Sequence, residues 1–199
     1  MSTRTKRALI AVAVLVGTAF LVLFVAIPLL YKPFRIPSAS MEPTVEIGDR
    51  ILVSRAGYSP ERGDVVVSHP PRGAETVECG APGFDPAARK QACPRPTLQQ
   101  SEQNFVHRIV ALGGDRLRIQ DGRAVVNGRV LDEPYIKPDE ACPECNLPRE
   151  ITIPERYVFV MGDNRGASND SRHWGPIPEE WVVGEAKLRY WPTGRLGGI

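Results

Sequence analysis

The chain has 199 residues, a formal net charge of +2 and 42% hydrophobic residues. Behind its apolar N-terminal run lie about 170 residues, which are enough to bury one sizeable core. A nearly neutral chain without a basic stripe gives no basis for binding nucleic acid. We therefore expect no nucleic-acid partner.

The first element is an uncharged apolar run over residues 8–30, preceded by a short basic segment. About 20 apolar residues suffice to cross the hydrocarbon core of a bilayer, and positive flanks stay cytoplasmic. We expect a cytoplasmic segment over 1–7, a single-pass anchor in the cell membrane over 8–30 and an extracytoplasmic domain over 31–199. The alternative is a cleaved signal peptide, but its apolar region is usually only about 7–15 residues long.

A proline-bounded run, Pro37-Ser-Ala-Ser-Met-Glu-Pro-Thr44, follows at the expected membrane edge. It offers two small hydroxyls, Ser38 and Ser40, in a stretch that we expect the prolines to keep extended. A hydroxyl nucleophile needs a base within hydrogen-bond reach and donors for the oxyanion. Taken alone, a serine beside proline is more often a turn former, so the case depends on the rest of the chain.

The outer domain consists of short runs separated by turn signals, with little helical periodicity. Asp121-Gly122 and Asn127-Gly128 supply the positive φ angles that type I′ turns require. The pattern predicts a mainly β fold, an antiparallel sheet or barrel-like domain. Alternating or β-branched runs predict strands at residues 49–54, 63–68, 105–112, 116–120, 123–126, 129–131, 157–161 and 182–190.

Two long segments interrupt this pattern, an insertion over residues 70–103 and an extended excursion over 132–142. Loops of this length are usually functional or variable, and the insertion carries no chemical motif.

The four cysteines, Cys79, Cys93, Cys142 and Cys145, fit an oxidising exterior. Their grouping favours two local disulfides, one across the insertion and one within Cys-Pro-Glu-Cys. A four-cysteine zinc site and free or redox-active thiols are the alternatives.

A base must come from few candidates, because the chain has three histidines, His69, His107 and His173. His69 reads as loop surface. His107 lies in a predicted strand, where Phe105 and Ile109 share its face. A lone histidine among apolar neighbours is more often structural and must then be satisfied.

Residues 161–176 concentrate glycine, aspartate, asparagine, serine and arginine after an apolar strand. The plain interpretation is a polar loop with Asx turns. The chemical interpretation is that Asp163, Ser168 and Asp170 orient a base, with Arg165 and Arg172 as ion-pair partners of the acids.

These segments, taken in order, resemble the motifs of type I signal peptidases. The resemblance runs from the apolar run to Trp191 and leaves out only the 70–103 insertion and the last few residues. Asn127-Gly and Glu133-Pro-Tyr135 also fit. The five motifs are Pro37–Thr44, Gly48–Val53, Gly63–Val67, His107–Asp115 and Gly162–Gly175.

The resemblance implies an integral-membrane serine endopeptidase that removes signal peptides from exported preproteins at the outer membrane surface. By position, Ser40 is the nucleophile, Ser38 and Ser40 supply the oxyanion donors, and Met41 helps to line the substrate pocket. The implied partners are preproteins, the lipid bilayer and the secretion translocon. No metal or organic cofactor is implied.

The same correspondence gives the remaining roles. His107 stands at the base position and Ser168 contacts it, while Asp163, Asp170 and Arg172 support the last loop.

The base position departs from the bacterial pattern, which has lysine followed by arginine where this chain has His107-Arg108. The endoplasmic-reticulum and archaeal type uses histidine, yet the surrounding motifs are bacterial in character. An unperturbed histidine has a pKa of about 6.5, so we expect activity to rise through a pKa of roughly 6–7. Three interpretations stay open: an active Ser–His enzyme, a specialised paralogue with a single substrate, and an inactive variant that binds exported peptides without cleavage.

Three tryptophans, Trp174, Trp181 and Trp191, complete the candidates. Indoles favour the membrane interface, and core packing is the equal alternative for each.

Overall fold

The structure is a computed structural model that describes residues 3–55, 57–76, 79–137, 139 and 142–199. Parts of three predicted segments lie outside the described residues. They are residues 1–2 of the N-terminal segment, 77–78 of the insertion, and 138, 140 and 141 of the 132–142 excursion.

The N-terminal run is helical in three consecutive pieces, α1 (Thr3–Leu21), a π-helical turn (Val22–Ala26) and α2 (Ile27–Leu30). Within the described part of the chain, no helix combines the length and the apolar character needed to cross a membrane.

The rest of the chain is built on two antiparallel sheets, which confirms the predicted mainly β class. The larger sheet has the order β1-β2-β11-β3-β4-β9-β10, with β12 paired to β11, and the smaller has the order β7-β6-β5-β8. The strands are β1 (Tyr31–Arg35), β2 (Arg50–Ser54), β3 (Val65–Ser68), β4 (Phe105–Leu112), β5 (Arg116–Gln120), β6 (Arg123–Val126), β7 (Arg129–Val130), β8 (Leu147–Thr152), β9 (Tyr157–Met161), β10 (Ile177–Pro178), β11 (Val182–Trp191) and β12 (Gly197–Gly198).

The predicted runs all form strands, and the two I′ turns have positive φ angles at both central residues. The sequence analysis missed four strands, β1, β8, β10 and β12, and the first three each contain a proline and each lie at a sheet edge. Proline removes a ladder donor, so it is tolerated at edges and weakens the sequence signal for a strand.

Strand β4 is central to the larger sheet, between β3 and β9. His107 lies opposite Val66 on β3, and Arg108 lies opposite Met161 on β9. Ile109, on the His107 face, belongs to a buried cluster with Trp174 and other apolar residues. Successive side chains of a strand point to opposite faces, so Arg108 faces the other way.

Among the described residues, two short α-helices lie outside the N-terminal run. Helix α3 (Pro86–Arg89) lies in the insertion and α4 (Ser171–Trp174) lies in the last motif. The structure places disulfides between Cys79 and Cys93 and between Cys142 and Cys145, the pairing that the sequence favours.

The tryptophans divide between core and surface. Trp174 and Trp181 are buried, whereas Trp191 is half exposed. The lipid-interface alternative therefore fails for the first two.

Candidate active site

The Ser40 segment forms successive turns, so the expectation of an extended run is wrong. The amide of Glu42 donates to the carbonyl of Ala39 at 3.1 Å, and that of Val45 donates to Met41 at 3.1 Å. The turns bring the Ser38 and Ser40 hydroxyls to 3.3 Å from each other.

The last motif is hydrogen-bonded to this turn. The backbone amide of Asn164 donates to the Ser40 carbonyl at 3.0 Å, and its side-chain amide donates to Ala39 at 3.1 Å. A Cβ added at Gly162 would lie 2.4 Å from the Ser40 carbonyl oxygen and 2.2 Å from Ser168 Oγ. Only glycine permits this approach. Sequence reasoning missed Asn164, since nothing in the pattern says which loop lies beneath the nucleophile.

Ser40 and His107 line the same cavity, of about 310 Å³. The structure thus brings together the proposed nucleophile, its base, Ser38 and Met41. The remaining lining residues are Ile36, Pro37, Gln103, Asn104, Phe105, Val106, Ala167 and Asn169.

His107 is almost wholly buried, with 2% of its surface exposed. Its Nδ1 atom is buried and has no hydrogen-bond partner among the described residues, which leaves Nε2 as the nitrogen that can meet a hydroxyl in the cavity. Burial lowers the pKa of His107 to about 4, although the carboxylates of Asp170 and Asp163 act in the opposite direction. This pKa lies below the expected range of 6–7. The ring is accordingly neutral, and able to accept a proton, at any pH near 7.

Asp170 and Arg172 form a fully buried ion pair near His107. Asp170 accepts hydrogen bonds from the amide, Nε and Nη2 of Arg172 and from the amide of Gly162. Burial acts to raise the pKa of Asp170, but Arg172 outweighs it and holds this pKa well below its ordinary value. Both carboxylate oxygens are engaged, so Asp170 braces the loop and does not bind the His107 ring.

Ser168 is buried behind the cavity, and its hydroxyl has no hydrogen-bond partner among the described residues. The hydrogen bond to the base that the resemblance implies for Ser168 is therefore not formed in this structure.

Asp163 is paired with Arg108. The sequence analysis noted Arg108 only as the residue after His107 and gave it no role. Arg108 Nε and Nη2 donate to the two carboxylate oxygens at 2.9 and 2.7 Å, and Thr44 in the nucleophile turn donates to the same carboxylate. Strand alternation was the available signal, because it puts Arg108 on a second buried face, where an arginine needs an acid.

Arg165 does not pair with an acid of its own motif, contrary to expectation. Its guanidinium donates to Glu133 at 2.7 Å, and both side chains are fully buried.

The 70–103 insertion packs on the last motif. The amide of Cys93 donates to the carbonyl of Arg172 at 2.9 Å, and the side chain of Asn169 donates to the carbonyl of Ala74. Since Gln103 also lines the cavity, the insertion borders the site although it carries no chemical motif.

The second disulfide touches the same motif. The Cys142 and Cys145 sulfur atoms lie 3.7 and 3.6 Å from Arg172 Nη1. Cys93, Cys142 and Cys145 therefore all contact the loop that contains Arg172.

The chain is similar to known proteins that are named signal peptidases. A probable signal peptidase I-2 from Synechocystis is 37% identical over 81% of this chain and 64% of its own length, and a signal peptidase I from Leptolyngbya laminosa is 35% identical over 82% and 70%. The chain thus spans somewhat less than two thirds of the first relative. The crystal structure of a signal peptidase I from Enterococcus faecalis aligns with 65% of this chain and 98% of its own, at 22% identity and a TM-score of 0.41. Residues 9–191 match the family described as signal peptidase, peptidase S26, and the chain belongs to that family.

Proposed function

We propose that this protein is a serine endopeptidase that cleaves N-terminal signal peptides from exported preproteins, with Ser40 as nucleophile and His107 as general base. The observation that carries the proposal is that the Ser40 hydroxyl and a neutral, buried histidine line one cavity. Membership of the signal peptidase family supports the substrate class.

The reaction begins when Ser40 Oγ attacks the scissile carbonyl and His107 Nε2 takes the hydroxyl proton. The oxyanion accepts hydrogen bonds from the Ser40 amide and the Ser38 hydroxyl. His107 then returns the proton to the leaving amine, which departs as the mature protein. A water molecule, deprotonated by the same ring, hydrolyses the acyl-enzyme and frees the signal peptide.

Substrate selection follows from the cavity wall around the nucleophile. Ile36, Met41 and Val106 give it an apolar lining of limited volume. Such a pocket suits a small uncharged side chain next to the cleavage point, because a charged group would lose its hydration there.

Burial supports His107 as the base at the position where the resemblance leads us to expect lysine. A lysine must be lowered from about 10.4 before it can act as a base near neutral pH. His107 is already neutral there, since burial favours its uncharged form.

We also propose that residues 8–30 anchor the protein in the cell membrane, with the catalytic domain on the extracytoplasmic side. The uncharged apolar run, its basic N-terminal flank and two disulfides in the outer domain support this topology. Preproteins emerging from the translocon then meet the site at the bilayer surface. Retention of the full chain in membranes after alkaline carbonate extraction is the expected result, and its release would contradict the topology.

The function is tested by incubating a preprotein either with the purified full chain or with its Ser40→Ala variant. We expect the variant to lose cleavage altogether, whereas Ser59→Ala, at an exposed position outside the cavity, cleaves normally. The cleavage rate should rise with pH through an apparent pKa of about 4. Full cleavage by the Ser40→Ala protein would contradict the proposed function.

A further inference from the structure

Among the described residues, no hydrogen bond accounts for the orientation of the His107 ring. In a Ser–His–Asp triad, the aspartate accepts a hydrogen bond from Nδ1 and so fixes the imidazole. Here Nδ1 has no partner among the described residues, and the oxygens of Asp170 are taken by Arg172 and Gly162. Packing must therefore hold the ring.

Two aromatic rings pack against the imidazole. Phe105 meets it edge-on, with centroids 5.8 Å apart, and Trp174 meets it at a tilt, with centroids 6.2 Å apart. Phe105 also lines the cavity, so a change there alters substrate contacts as well. Trp174 is fully buried and lies outside the cavity lining, so a change there reaches the reaction through His107.

The fold fixes Trp174 firmly enough for this task. It is the last residue of α4, whose N-terminus is capped by Asp170. Gly175 ends the helix with a φ of +91°, and a Cβ there would lie 2.7 Å from the backbone of Arg95 in the insertion. The helix that carries Trp174 is thus capped by Asp170 at its start and lies against the insertion at its end.

We infer that Trp174 is a positioning residue, whose indole sets the plane of the His107 ring and keeps water away from Nδ1. The inference rests on the proposed function for the statement that His107 is the base. The packing itself stands without it.

The charged groups that face His107 do not supply this role. They are Asp163, Asp170 and Arg172, and each carboxylate is paired with an arginine. The residue opposite on β3 is Val66, which is uncharged. Burial is the largest influence on the ring, and the buried indole contributes to that burial.

The first experiment titrates His107 directly and needs no activity. The full chain carrying Ser40→Ala, labelled with 15N-histidine in detergent micelles, is compared with the same chain carrying Trp174→Ala or Trp181→Ala. Trp181 is the matched control, because it is a buried tryptophan of the same apolar cluster. We expect the pKa of His107 to rise from about 4 by roughly one unit or more in Trp174→Ala, and to stay unchanged in Trp181→Ala.

An unchanged His107 titration in folded Trp174→Ala protein would overturn the inference, as would an equal rise in Trp181→Ala. If Trp174→Ala does not fold, Trp174→Leu replaces it, since leucine keeps apolar bulk but not the flat ring. We expect a smaller rise of the same sign, and no rise would again overturn the inference.

The second experiment measures the pH profile of preprotein cleavage in the active chain. Trp174→Leu should lower kcat roughly tenfold or more through misplacement of the base, with KM nearly unchanged and the acid limb moved to higher pH. Trp174→Phe should restore most of the rate, because it keeps a flat ring. A rate loss with an unmoved acid limb and no rescue by phenylalanine would mean a merely structural role. Normal cleavage by Ser40→Ala would sink the proposed function and leave the titration result standing.

Discussion

His107 and Arg108 are neighbours on β4, both are buried, and they face opposite sides of the sheet. Arg108 is held by the carboxylate of Asp163, by the carbonyl of Gly63 at 2.7 Å, and by the Tyr135 ring at 3.8 Å. The rings of Phe105 and Trp174 pack against His107, and its Nδ1 atom has no hydrogen bond among the described residues.

The contrast separates two tasks within one strand. A permanently charged guanidinium in the interior needs a matching acid and hydrogen bonds for its donors, and here those bonds tie β4 to the last motif and to the nucleophile turn through Thr44. The proposed base, His107, must stay free to gain and lose a proton. Packing against aromatic rings, rather than a bond to a charged group, keeps His107 neutral and in place. The ion pair of Arg108 and Asp163 lies on the other face of the strand.

The largest expected effect comes from the packed face. His107→Gln removes the proposed base but keeps a polar side chain, and we expect kcat to fall by about 10²–10⁴ while the protein stays folded. The measurement is single-turnover cleavage of a preprotein, with circular dichroism as the check on folding. The control is Ser59→Ala, at an exposed position outside the cavity, and it should retain the wild-type rate. Wild-type cleavage by His107→Gln would remove His107 from the mechanism.

The next effect comes from the charged face. Arg108→Met leaves Asp163 buried without its partner, and breaking a buried pair in this way typically lowers the free energy of unfolding by about 3–5 kcal/mol. The control is Arg116→Met, whose partner Glu150 lies 3.7 Å away in a mostly exposed pair. Exposed pairs contribute at most about 1 kcal/mol. Urea unfolding of the four proteins, wild type, each variant and the double variant, measures both losses, and equal losses would contradict the contrast between the two positions.

Much of this arrangement could be read from the sequence. Alternation gave β4 its exact bounds, Phe105–Leu112, and the glycine-containing dipeptides gave both I′ turns. These are local signals, written in side-chain periodicity and in the need for positive φ. The order of the motifs likewise predicted that Ser40 and His107 lie together, and both residues line one cavity.

The rest depends on tertiary contacts that no local pattern encodes. The acid that pairs with Arg165 is Glu133, 32 positions away, and the carbonyl of Ser40 binds the amide of Asn164. The pKa of His107 was expected to lie near its unperturbed value, because the sequence places the residue in a strand but does not report how completely Trp174 and the other neighbours bury it. The proline in β1 also hid this strand from the sequence analysis. A missing backbone N–H is tolerated there because β1 lies at the edge of the sheet, and only the tertiary structure shows that position.

The smallest of the three effects is the pH dependence of stability on the packed face. The pKa of His107 is about 4 in the folded protein and about 6.5 in the unfolded chain. Between these values the unfolded state binds more protons, so stability rises with pH. The contribution is complete above pH 6.5 and is lost as the pH falls to 4, a change of roughly 3 kcal/mol.

His107→Phe should abolish this dependence, because phenylalanine fills the same aromatic site and binds no proton. The measurement is the free energy of unfolding in urea at a series of pH values from 7 to 4, with the variant's curve subtracted from that of the wild type. Asp170 does not obscure the result. Its pKa is held below the ordinary value, so its contribution is present above the unfolded pKa of about 3.9 and is lost only at more acid pH. A difference curve that is flat between pH 6.5 and 4 would mean that the imidazole is reached by water, and that packing alone does not keep it neutral.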